Sequence, residues 1–77
     1  STLCVTDDSS LWVGHGNTSR GVVRYDGKTW QRFTMEDGLG GDDVWKIHQS
    51  RDGTLWFGTD AGLTRFNGET WHTYYRD

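Results

Sequence analysis

Proline is absent from this 77-residue chain, cysteine and alanine occur once each, and no apolar run exceeds three residues. Each absence removes a class of structure. The single thiol, Cys4, cannot close an internal disulfide, so nothing covalent staples the fold. Runs such as Leu11–Val13 and Leu55–Phe57 are far too short for a membrane-spanning helix. Ser1–Ser10 has neither the basic start nor the apolar core of a secretory leader. Eight Lys and Arg against eleven acids, with no basic cluster and a formal charge of −3, argue against a nucleic-acid binder. Strong helix formers are scarce, with two Glu and two Lys beside the lone Ala.

What the chain does have is Gly at 11 positions, 11 aromatic residues (five of them Trp) and 16 Val, Ile and Thr. β-Branched and aromatic residues suit a pleated surface, and the glycines punctuate nearly every segment. The fold class is all-β. Leu, Ile, Val and Phe total only 14, so Trp and Tyr must supply much of the buried apolar area. Chains of about 60 residues bury only some 60% of their unfolded surface and are marginal without a staple. Size alone therefore points to association with further copies.

An internal repeat organises the sequence. Leu11-Trp12-Val13-Gly14-His15 returns as Leu55-Trp56-Phe57-Gly58-Thr59, 44 residues later. Gly21-Val22-Val23-Arg24-Tyr25-Asp26-Gly27-Lys28-Thr29-Trp30 returns as Gly62-Leu63-Thr64-Arg65-Phe66-Asn67-Gly68-Glu69-Thr70-Trp71, 41 residues later. The difference of three lies in one loop, Gly16 to Arg20 against Asp60-Ala61. Each copy reads as four strands: Leu3–Thr6, Leu11–Gly14, Val22–Tyr25 and Thr29–Phe33, then Trp45–Gln49, Leu55–Gly58, Leu63–Phe66 and Thr70–Tyr74. Asp26-Gly27 and Asn67-Gly68 read as two-residue hairpin loops of type I′. Four short antiparallel strands per repeat of about 40 residues is the arithmetic of a β-propeller blade. The middle strands read apolar on both faces, as a blade with a neighbour on either side requires.

Several stretches resemble the two-component-regulator propeller repeat: Asp37-Gly38-Leu39, Val44-Trp45-Lys46-Ile47, Asp52-Gly53-Thr54-Leu55-Trp56-Phe57-Gly58-Thr59, Gly62-Leu63 and Phe66-Asn67-Gly68. The first copy departs from the pattern in lacking the Asp-Gly turn and in having His15 where Thr is usual. The resemblance implies bacterial sensor propellers lying outside the membrane, periplasmic or extracellular, that recognise a ligand, frequently a glycan. It divides the chain into blade one over 1–36, a linker over 37–44 and blade two over 45–77. Two blades cannot close a ring. The expectation is a piece of a longer array that self-assembles head to tail into a cyclic homotrimer or homotetramer of six or eight blades.

Residues that could carry chemistry are few. His15, His48 and His72 have no ligand-like spacing, and Cys4 reads as a small buried filler. No metal site and no cofactor are expected. Asp42-Asp43 do not fit a calcium loop, for the acids do not alternate and no distal Glu follows. Ser50–Trp56 resembles a loose form of the Asp-box turn of sialidase propellers, a hairpin brace without catalytic duty. Trp12, Trp56, Trp30 and Trp71 repeat with the fold and read as packing residues. Interblade loops and the loops between second and third strands share one propeller face. That face carries the candidate ligand contacts His15, Asn17, Arg20, Asp42, Asp43 and Asp60, with Trp45 beside them. The reading is a structural or binding module without catalysis. The alternative is a propeller lyase or glycosidase acting on polysaccharide.

Overall fold

The computed structural model describes residues 2–14 and 20–75. Eight strands follow one another: β1 (Thr2–Val5), β2 (Leu11–Gly14), β3 (Val22–Tyr25), β4 (Trp30–Phe33), β5 (Val44–Gln49), β6 (Leu55–Thr59), β7 (Gly62–Phe66) and β8 (Trp71–Tyr75). They form two four-stranded sheets, each an antiparallel meander in sequence order. This is the architecture of two propeller blades.

Register assigns every side chain to a face, because alternate residues of a strand point to opposite sides. In the first blade, Thr2, Gly14, Val22 and Phe33 are cross-strand neighbours, and Cys4, Trp12, Arg24 and Gln31 form the parallel row. This face meets the second blade. The rows there are Ile47, Phe57, Thr64, Thr73 and Gln49, Leu55, Phe66, Trp71. Between the two sheets lies a core of Trp12, Val22, Leu39, Val44, Ile47, Leu55 and Phe57, with Cys4, Phe33, Phe66 and Trp71 packed against it. Aromatic rings carry the seam. The Trp12 ring lies 5.6 Å from Phe57 and 6.2 Å from Phe66, while Phe33 lies 5.4 Å from Trp71. Phe66 and Trp71 stack at 4.0 Å within the second blade.

The opposite faces have no cover. Leu3, Val5 and Trp30 on the first blade are 68%, 72% and 61% exposed. This explains why β2, apolar on both sides in sequence, buries Trp12 yet leaves Leu11 and Val13 half-buried.

Three local details differ from the sequence reading. Strand β1 ends at Val5, because the Thr6 amide donates to the Ser10 carbonyl (2.9 Å) and already belongs to the turn. Strand β5 begins at Val44, inside the stretch read as linker, and its register shifts between Val44 and Lys46, so Trp45 bulges out 57% exposed. The Asp-Gly and Asn-Gly loops are not type I′. Gly27 (φ 103°) and Gly68 (φ 100°) have positive φ, but Asp26 and Asn67 do not. Those two residues sit at the corner instead. Asp26 Oδ1 accepts the amides of Lys28 and Thr29, and Asn67 Oδ1 accepts those of Glu69 and Thr70, all at 2.8–2.9 Å. A short side chain that can bond its own turn overrides the dipeptide rule.

The β1–β2 and β5–β6 turns make a natural experiment. Gly53 has φ 91° in the second, and its counterpart Ser9 is held at φ 67° in the first. A left-handed conformation costs an L-residue about 1–2 kcal/mol. Ser9→Gly should therefore stabilise the chain by ~0.5–1 kcal/mol after the entropy of the added glycine is subtracted, and Gly53→Ser should destabilise it by ~1 kcal/mol. Urea unfolding midpoints moving in opposite directions, at constant slope, are the expected result.

Candidate functional site

The blades offer two candidate regions, one at each end of the strands. At one end lie the β2–β3 connection, the β4–β5 junction and the β6–β7 turn. His15 and Asn17 fall outside the described residues. The structure does bring Arg20, Asp42, Asp43 and Asp60 together. Arg20 Nε pairs with Asp42 Oδ2 at 3.1 Å, and the other Asp42 oxygen accepts the Met35 amide at 3.1 Å. The Gly21 amide donates to the Asp42 carbonyl at 2.6 Å. Asp43 and Asp60 bond reciprocally: the Asp43 amide reaches Asp60 Oδ1 at 3.3 Å and the Asp60 amide reaches the Asp43 carbonyl at 3.1 Å.

The carboxylates of Asp42 and Asp60 act first as fasteners. The junction of residues 34–43 lies against the second sheet, burying Leu39. The Gly40 amide donates to the Thr64 hydroxyl at 2.8 Å, and that hydroxyl shares a 2.8 Å bond with Thr73. A side chain at Gly41 would overlap the Asp60 carboxylate, so the close approach needs glycine there. Asp43 Oδ1 is buried without a hydrogen-bond partner. Among the described residues no three His, Cys, Asp or Glu side chains converge as metal ligands would. Trp45 stands in solvent on its bulge.

The other end holds a cleft of about 600 Å³ between the blades. Trp12, Phe33, Leu55 and Phe66 form its apolar lining, with Asp7, Asp8, Arg24, Gln31, Gln49 and Asn67 as its polar groups. A partly apolar cavity of this size with a few polar groups is the usual form of a small-ligand site. The Arg24 guanidinium sits 5.9 Å from the Trp12 ring, bonds Ser10 Oγ at 3.2 Å and approaches Asp8 Oδ2 at 3.4 Å. Across the mouth, the Asp7 amide donates to Gln49 Oε1 at 2.9 Å, tying blade to blade. Sequence reading passed over this end. The available signal was Arg24 and Arg65 recurring three positions after the glycines at 21 and 62, each paired in register with a Trp.

Carboxylates at this end are held by their own turns. The Thr6 hydroxyl, donating at 2.6 Å, keeps Asp8 below its ordinary value of 3.8, against an opposing effect of burial. The Ser50 hydroxyl does the same for Asp52 at 2.7 Å, helped by the Thr54 amide. The amides of Thr29 and Lys28 lower Asp26. The brace closes further on the second blade, where Trp56 Nε1 donates to Ser50 Oγ at 3.2 Å.

Comparison with known proteins agrees with this architecture. Residues 38–61 match the family described as two component regulator propeller. That stretch is a propeller repeat of this family. It runs from the junction through β5 and β6 into the β6–β7 turn, and the internal repeat ties the first blade to the second. The chain is also 42% identical over 45 residues to a protein named histidine kinase P4 from Formosa agariphila. The match takes in 58% of this chain and 3% of that relative, so the chain spans a small fraction of its length.

The depressed carboxylates predict an acid-side loss of stability. A group whose folded value lies below 3.8 contributes fully above that pH, and the contribution disappears as the pH falls through the folded value. Unfolding midpoints measured from pH 5 down to pH 2.5 should fall. Asp8→Asn and Asp52→Asn should each flatten that decline while lowering stability at pH 5.

Proposed function

We propose that this chain is a non-catalytic two-blade propeller module that completes a ring with copies of itself and holds a small ligand in its interblade clefts. The observation that carries the assembly is an equivalence of faces. The uncovered face of the first blade consists of Leu3, Val13, Val23, Arg32 and Val5, Leu11, Tyr25, Trp30. Under the repeat these correspond to Ile47, Phe57, Thr64, Thr73 and Gln49, Leu55, Phe66, Trp71, the rows through which the second blade packs on the first. The uncovered face of the second blade likewise repeats the covered face of the first. Each end is therefore one half of a seam that already exists in the chain, and a second copy supplies the other half. Contacts between unlike faces are head-to-tail and close into rings when the rotation allows. Three or four chains would give six or eight blades, within the range of closed propellers.

The ligand reading is supported by the cleft's aromatic wall and its polar groups, held on strands and tight turns. At the opposite end, Asp42 and Asp60 bond the chain's own backbone.

Absolute mass by light scattering on a size-exclusion column tests the assembly. The expected mass is about 26 or 35 kDa, three or four times the 8.8 kDa chain. Trp30→Glu, which places a charge on an end face without touching the internal seam, should reduce the mass to one chain while leaving the circular dichroism spectrum of the sheets unchanged. A folded wild-type monomer at micromolar concentration would overturn the proposal.

A further inference from the structure

The two kinds of seam in such a ring differ in chemistry, and the difference lies in histidine. Within the chain, the first blade presents Cys4, Trp12, Arg24 and Gln31 as one cross-strand row. Cys4 is half-buried against the core, and Arg24 has Asp8 and the Ser10 hydroxyl as partners. The equivalent row on the open face of the second blade is His48, Trp56, Arg65 and His72. Cys4 has become His48, and Gln31 has become His72. Arg65 keeps the arginine but makes no ion pair among the described residues, its guanidinium lying 5.8 Å from the Tyr74 ring. His72 packs edge-on to the same ring at 4.6 Å.

From this row we infer that the seam between copies is a pH-sensitive contact, stable near neutrality and weakened in mild acid, whereas the seam inside each chain is not. The inference rests on the head-to-tail assembly proposed above. His48 occupies the position at which Cys4 is packed against the core, so closing the seam removes its imidazole from water, which disfavours the charged form. The surroundings add to this. On its own face stand Lys46 on β5, Arg65 on β7 and His72 on β8, with Trp56 on β6 between them. The copy that covers them brings Leu3, Val5, Leu11, Val13 and Val23 with Tyr25 and Arg32, and its β3–β4 turn carries Asp26 and Lys28. The β5–β6 turn of the histidines' own blade adds Arg51 and Asp52, the counterparts of Asp7 and Asp8. Both carboxylates, Asp26 and Asp52, are engaged by their own turns. Protonated histidine thus meets a surplus of cations, and the two carboxylates near it are already bonded within their own turns. Protons bind the separated chains in preference, so acid pulls copies apart.

Each histidine whose charged form the seam excludes weakens the contact about tenfold at pH 5.5 relative to pH 7.5, and two such groups about a hundredfold. Sedimentation velocity at both pH values, over a concentration series, reads this directly. The wild-type chain should associate at pH 7.5 and lose at least about tenfold in affinity per contact at pH 5.5, with its circular dichroism unchanged. The pair His48→Cys with His72→Gln writes the internal seam's residues into the external one. It should associate at pH 7.5 and keep that affinity at pH 5.5, His15 remaining as an untouched control. Association that is independent of pH in the wild type, or equally pH-dependent in the double variant, would overturn the inference while leaving the ring intact. A monomer at both pH values would overturn the ring and the inference together.

Discussion

Everything in this molecule hangs on the apposition of two small sheets through a layer of aromatic rings. A four-stranded meander of strands this short has too little apolar surface on one side to hold itself. Stacking Trp12 and Phe33 of one blade on Phe57, Phe66 and Trp71 of the next creates an interior that neither possesses alone. Burial of a large ring is worth several kcal/mol at about 25 cal/mol per Å². The chain's shortage of aliphatic residues is thereby offset by a few large rings placed where both blades reach them.

Polar groups follow from that arrangement. Bringing two blades together also brings the junction between them over the second sheet, where its amides must find acceptors. Thr64 and Thr73 provide hydroxyls inside the second blade, Asp42 and Asp60 provide carboxylates at the rim, and Arg20 balances the charge of Asp42. The same acids that look like ligand contacts in sequence are thus engaged in holding the chain's own backbone. At the far end lies the cleft beside Arg24, lined by side chains of both blades.

Much of the fold was legible because the repeat is printed twice. An offset of 44 or 41 residues carries strand, turn and strand together, and eight strands in two blades follow from it. Less legible was anything decided between segments. Dipeptides such as Asp26-Gly27 name a turn but not which residue stands at its corner, since that depends on where the side-chain oxygen finds amides. The bulge at Trp45 is invisible in sequence because it answers to the register of β6. Of the residues read as a site, Arg20, Asp42, Asp43 and Asp60 do converge, whereas the cleft at the opposite end draws on six separate segments that no local motif connects.

The uninterrupted order of the strands has a kinetic side. Every pairing joins neighbours in sequence, across connections of four residues at two of the hairpins and five at two more. Closing such loops costs little entropy, and hairpins of this kind form in about 1–10 μs. Only the seam asks distant parts of the chain to meet, Trp12 with Phe57 being 45 positions apart. The hairpins can therefore form locally and quickly, whereas neither sheet is held until the seam between the two closes, which makes that closure the slow step. That order of events also leaves an apolar face waiting in water, where a partner from a different chain competes with the one attached by the junction.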